Sequence, residues 1–150
     1  MCIRDRFCSN RSELESRWLV LRKKLLDSFE DVEHCFVLGT PDDSLPNTLN
    51  LGFEGISAES LLICLDLDGI AVSSGSACSS GAMEASHVLL AMGYSHEQAK
   101  SSLRISMGWN TSEKDIEELS RQLIHHVKRL TPISGKSDSK IHIPEPVTEI

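Results

Sequence analysis

No apolar run in this chain approaches the roughly 18 residues a membrane-spanning helix needs. Met1-Cys2-Ile3-Arg4-Asp5-Arg6-Phe7 carries charges but no apolar core of a secretory signal. Basic residues are in the minority, 15 Lys+Arg against 22 Asp+Glu, for a formal charge of -7 over 150 residues. That balance argues against a general nucleic-acid binder, which shows a basic face. There is no C-x-x-C pair: Cys2, Cys8, Cys35, Cys64 and Cys78 are odd in number and irregular in spacing, and the six histidines form no ligand pattern with them. A zinc ribbon, a thioredoxin-type dithiol and a disulfide framework are therefore all disfavoured. What remains is an ordinary soluble composition, 40% apolar and 25% charged, of a size for one domain and expected in the cytoplasm.

Leu14, Trp18, Leu21, Leu25 and Phe29 recur at steps of 4, 3, 4 and 4, which predicts a helix from about Ser12 to Glu30. Arg17, Arg22, Lys23 and Lys24 fall mostly on its other, solvated face. Val32–Leu38 suits a strand, and the turn-rich Gly39–Pro46 links it to a second, Asn47–Phe53, where Leu49, Leu51 and Phe53 alternate with Asn50 and Gly52. Ser57 is placed to cap a helix running to about Asp66, with Gly69 as its stop and Ile70-Ala71-Val72 as a minimal strand beyond. Ser86–Met92 reads as helical and Ser95–Lys100 as a short turn of helix. In Ser102–Met107 the apolar Leu103, Ile105 and Met107 alternate with Ser102, Arg104 and Ser106. Ile116, Leu119, Leu123, Val127 and Leu130, spaced 3, 4, 4 and 3, form the stripe of a long helix opened by a Ser112/Asp115 capping box. Strands and helices mix without strict βαβ order, so the expected class is α+β: a small, largely antiparallel sheet covered by helices. Residues 1–11 stand apart at the N-terminus, 12–131 form the domain, and the aperiodic 132–150, with three prolines, is expected to be a mobile tail.

Cys35 and Cys64 sit in apolar surroundings and read as small core residues. Cys78 does not: Ser73–Gly81 holds five serines, two glycines, one alanine and this cysteine, with nothing to anchor a core. A thiol there is expected to be accessible and able to move, as a nucleophile requires. Other motifs fail on spacing. Gly81 is followed by Ala82 and Met83 rather than the Lys-Ser/Thr of a phosphate loop, and Glu84 stands where a phosphatase would place arginine. A plain linker with an incidental cysteine remains open on composition alone. Arg104, on the polar face of its strand between two serines, suits a two-pronged grip on a carboxylate, although an exposed sheet residue or a structural ion pair is the commoner use.

Leu45-Pro46-Asn47-Thr48-Leu49-Asn50, Gly69–Gly81 with its Gly-Ser-Ala-Cys loop, Ser86–Gly93 and Ser102–Gly108 together resemble the C-terminal, small domain of cysteine desulfurases. These are pyridoxal-phosphate enzymes of the class-V aminotransferase group, and the resemblance covers roughly residues 12 to 130. It implies that Cys78 is the persulfide-forming nucleophile and that Arg104 holds the substrate carboxylate. It further implies sulfur transfer from L-cysteine to an acceptor protein, an iron–sulfur scaffold or a tRNA thiolation carrier, with release of L-alanine. A homodimer is expected for the full-length family, and no nucleic acid or membrane is implied.

The sequence departs from the family at Gly108-Trp109-Asn110-Thr111, at Ala85 where proline is usual, and at Met1–Phe7, which matches nothing. No lysine of the chain follows a histidine, as the family's cofactor lysine does. The expectation is a desulfurase small domain without the pyridoxal-phosphate half, inactive alone and with no covalently bound cofactor. Apolar surface on Leu21, Leu25 or Val127 would then be open. The alternative is a non-enzymatic sulfur-relay or interaction module that accepts persulfide at Cys78.

Overall fold

The computed structural model describes residues 11–40, 44–74 and 85–131. Residues 1–10, the loop carrying Cys78 and the expected tail from 132 lie outside the described residues. Along the chain run α1 (Arg11–Asp27), β1 (Cys35–Leu38), β2 (Thr48–Phe53), α2 (Ala58–Leu67), β3 (Ser73–Ser74), α3 (His87–Ala91), α4 (His96–Lys100), β4 (Ser102–Ser106) and α5 (Glu113–Leu130). The four strands form one sheet in the order β1-β2-β4-β3, and every pairing is antiparallel. The expected α+β architecture is therefore the one observed. Among the described residues no helix is long and apolar enough to cross a membrane.

One sheet face carries Val37, Leu49, Leu51, Phe53, Leu103 and Ile105, which pack with the stripes of α1, α2 and α5 into the main core. Leu21, Leu25 and Val127, expected to be open, are 2%, 0% and 2% exposed. The three helices close over their own side of the sheet without outside help, and each buried leucine contributes about 1.5–3 kcal/mol. Phe29, just past α1, meets Phe53 edge to face at 6.1 Å. Among the described residues the opposite sheet face is covered at one end, where α3 and α4 bring Leu89 and Ala99 onto Leu38 and Phe36.

Several local expectations change. Arg22 is buried, 3% exposed, because the chain returning through Leu45 passes over it and that carbonyl accepts from its Nη1 at 3.4 Å. Val32 belongs to the turn after α1, donating its N–H to Phe29, and the strand starts only at Cys35. Ser57 occupies the N-cap of α2 without a side-chain hydrogen bond. Ile70–Val72 is not a strand, for β4 meets the chain one step later, at Ser73 and Ser74, while Ile70 and Val72 pack against the core. Cys64 is only partly buried, and its sulfur accepts from Arg129 Nη2 at 3.1 Å.

The stop at Gly69 is a full reversal. Its φ is 77°, its N–H reaches Asp66 O, and the N–H of Ile70 reaches Leu65 O at 2.8 Å, the paired bonds that glycine makes possible after a helix. The expected Ser112/Asp115 capping box forms, and Ser95 makes a second one with Gln98 at the start of α4.

Candidate functional site

β4 decides where Arg104 points. Leu103 and Ile105 are 0% and 3% exposed in the core, so the pleat sends Arg104 to the other face, where it is exposed. The register pairs Arg104 with Asn50 on β2 and with Ser73 on β3, and Asn50 in turn with Leu38 on β1. Leu38, Asn50, Arg104 and Ser73 thus form one row across all four strands. On one side of it lie Thr48 and Ser106. On the other lie Phe36, Gly52 and Ser102, beneath α3 and α4.

Arg104 lies between two serines along its strand, and these differ. Ser106 is exposed, whereas Ser102 is 1% exposed and donates to Ala99 O at 2.9 Å. Ser73 Oγ is likewise committed, donating to Ser74 O at 3.0 Å. Among the described residues the Arg104 guanidinium has no hydrogen bond or ion pair. An arginine planted on a sheet and left unpaired offers its donors to a planar anion in its surroundings.

Cys78 lies outside the described residues, so the structure does not bring it together with Arg104. It does describe both flanks of that loop. On the entry side, α2 ends at Asp68, whose Oδ2 lies 2.6 Å from His126 Nε2 of α5. The Gly69 reversal then delivers the chain to β3 beside Arg104. On the exit side, Ala85 packs against the second core and the Ser86 side chain accepts from Leu89 N–H, so α3 begins without the family's proline.

The segment that departs from the family after β4 is tied to α1. Trp18 Nε1 donates to Gly108 O at 3.0 Å, Arg17 Nη1 to Trp109 O at 2.8 Å, and Arg17 Nη2 to Thr111 O. The Trp109 residue itself is 62% exposed.

Of the two described cysteines, Cys35 is placed as a core residue and not as a nucleophile. Burial pushes the Cys35 thiol up to about 12, so it stays protonated at neutral pH. An open groove of about 1070 Å³ runs past His34, Phe36, Gly55, Tyr94 and Lys100, away from Arg104. His34 at its edge holds a φ of 65°, which the sequence did not signal.

A lysine that binds pyridoxal phosphate must be sheltered so that its amine loses its proton readily. No described lysine is buried. Lys23 is held by Asp27 at 2.7 Å and Lys24 by Glu113 and Glu117 at 2.9 and 2.6 Å, and these carboxylates raise both amines above their ordinary range. The described residues do not fit a covalent pyridoxal-phosphate site. Nor do they contain a cluster of three or more His, Cys, Asp or Glu suited to a metal ion.

Comparison with known proteins places this architecture. The aminotransferase class-V family matches residues 10–119. A cysteine desulfurase of Azotobacter chroococcum mcd 1 is 42% identical over 117 residues, which are 75% of this chain and 30% of the relative. The cysteine desulfurase NifS of Azotobacter vinelandii is 44% identical over 103 residues, 69% of this chain and 26% of the relative. Among solved structures, a NifS-like protein from Rickettsia africae ESF-5 superposes with a TM-score of 0.68 at 30% identity, covering 81% of this chain and 31% of that one. Another NifS-like protein gives 0.71 at 26% identity, covering 82% and 30%. The chain spans about 30% of the length of such relatives. By sequence and by fold it belongs to the aminotransferase class-V family, on the side of the cysteine desulfurases.

Proposed function

We propose that the chain is the sulfur-accepting, substrate-gripping part of a cysteine desulfurase. The Cys78 thiolate attacks the sulfur of L-cysteine and a sulfur–sulfur bond forms. The carbon–sulfur bond breaks with its electron pair left on carbon, which takes up a proton to release L-alanine. Cys78 then carries the transferred sulfur to an acceptor protein, such as an iron–sulfur scaffold or a tRNA thiolation carrier. Arg104 holds the substrate carboxylate during transfer. Pyridoxal phosphate and the dimer contacts are assigned to the rest of the relatives' length.

The observation that carries this reading is the exposed, unpaired guanidinium of Arg104 opposite Ser73. Cys78 follows β3 by four residues, a reach of at most about 14 Å from Ser74. The substrate grip and the sulfur acceptor are thereby kept within one small domain. A second reading, a sulfur relay charged by another protein, draws on the absence of a buried lysine among the described residues.

The test is to incubate the purified chain with L-cysteine and pyridoxal phosphate, then to add either the cofactor-binding portion of a relative or an intact desulfurase. The chain alone is expected to release no alanine and to show no absorption from covalently held cofactor. Alanine release restored by the cofactor-binding portion, and lost in Cys78→Ala and Arg104→Ala, supports the desulfurase reading. Persulfide on Cys78 from the intact enzyme only, without restored turnover, supports the relay. Persulfide on neither arm overturns both.

A further inference from the structure

Arg104 is a long, freely rotating side chain, and a carboxylate grip requires its planar end to be held in one orientation. On the β3 side Ser73 Oγ is spent on Ser74 O. Along β4, Ser102 is buried and bonded to Ala99 O, and Ser106 lies two residues away. On the β2 side the residue directly opposite is Asn50. Leu49 and Leu51 on either side of Asn50 are in the core, so its amide shares the open face with Arg104. Residues so paired place their side chains about 4.5–5.5 Å apart at Cβ, within reach of an amide and a guanidinium.

Asn50 is half-buried, with the covered Leu38 on its far side, and its amide has no hydrogen-bond partner among the described residues. A half-buried amide with no protein partner is free to turn toward its neighbour across the ladder, and that neighbour is a guanidinium also without one. We infer that Asn50 is the positioning residue of the carboxylate grip: as a carboxylate arrives, its Oδ1 comes to accept one N–H of Arg104, and the remaining donors turn toward the open side of the sheet. The neutral amide is the chemistry this requires. A carboxylate at the same place would occupy the guanidinium itself and compete with the substrate. This inference rests on the reading of Arg104 as the carboxylate anchor.

The experiment follows the Arg104 Nε–H resonance of the 150-residue chain at low ionic strength during titration with L-alanine, with L-alaninamide as the probe lacking a carboxylate. In the parent chain the resonance is expected to move with L-alanine and not with L-alaninamide, and Arg104→Lys removes the saturable response. Asn50→Ala is expected to weaken binding about fivefold, the worth of one such hydrogen bond. The nearly isosteric Asn50→Asp is expected to weaken it further, more than tenfold. A packing role predicts the reverse order, with Asn50→Asp closest to the parent. If the parent responds and Asn50→Asp binds as well as the parent, the role of Asn50 is overturned while the Arg104 reading stands. If the parent does not respond to the carboxylate, both fall.

Discussion

Ser73 and Arg104 stand opposite each other across the β3–β4 ladder, and this pairing ties the entry of the Cys78 loop to the strand that displays the arginine. β3 is only Ser73–Ser74, the shortest strand of the sheet. Its place depends on the Gly69 reversal and on Asp68 and His126 holding the end of α2 against α5.

Arg104→Ala is expected to leave stability within about 0.5 kcal/mol of the parent, as for a surface substitution that removes no partner. Chemical denaturation checks this. A larger loss would mean that Arg104 is a structural residue and would count against its assignment as a substrate grip.

Asp68→Ala leaves His126, 5% exposed, without the acceptor at 2.6 Å, and its Nδ1 already lacks a partner among the described residues. A loss of about 1–3 kcal/mol is expected in urea denaturation, from an unsatisfied buried polar group. Faster hydrogen exchange at Ile70 and Ser74 would accompany it, because the turn they follow is anchored there.

At Gly52 an added Cβ would fall 2.2 Å from Phe36 Cζ, for the end of that ring occupies the space over this position. Gly52→Ala is expected to cost about 1–3 kcal/mol, since the ring must swing away from the packing of α3 and α4. Combining it with Phe36→Ala should cost less than the sum of the two single changes, measurable as a double-mutant cycle.

Cys35 contributes to the alkaline limb of stability. Burial raises its thiol from 9.0 to about 12, so the folded state retains a proton that the unfolded chain gives up sooner. Its contribution is complete below pH about 9 and is lost as pH rises toward about 12. Denaturation between these values should show a falling stability whose slope is reduced in Cys35→Ala, even though that variant is less stable throughout. Brief thiol labelling at pH 8, mapped by mass spectrometry, should modify Cys64 before Cys35.

Hydrogen bonds from Ser112 hold the Asp115 carboxyl below its usual range. Its support for the start of α5 is therefore present above pH about 4 and lost as acid protonates it. Ser112→Ala is expected to lower stability by about 1 kcal/mol at neutral pH. Asp115→Asn should flatten the acid side of the stability profile, read by circular dichroism at a series of pH values.

Long-period patterns were legible because they are local. The spacing from Trp18 to Leu25 and from Ile116 to Val127 puts each stripe on one helix face whatever it packs against, and these residues are buried. The capping box at Ser112 is likewise set within four consecutive residues. Arg22 was misplaced because its burial comes from a segment more than twenty residues on, which no helical wheel contains. Ile70–Val72 reads as the strand because it is the more apolar stretch, whereas pairing is decided by where the Gly69 turn aims the chain. Nothing in the sequence distinguishes Ser102 from Ser106, since it is the carbonyl of Ala99 on α4 that takes up the one while the other stays exposed.

The sequence by itself determined that Arg104 turns away from the core, because Leu103 and Ile105 must both face it and a strand alternates. It also determined that Cys78 stands in a run of small residues unable to anchor a core. Only the tertiary structure decided which residues neighbour that arginine. Asn50 and Ser73 lie 54 and 31 positions away in the chain and reach it through the register of three antiparallel strands, which is fixed by the helices packed on the opposite face.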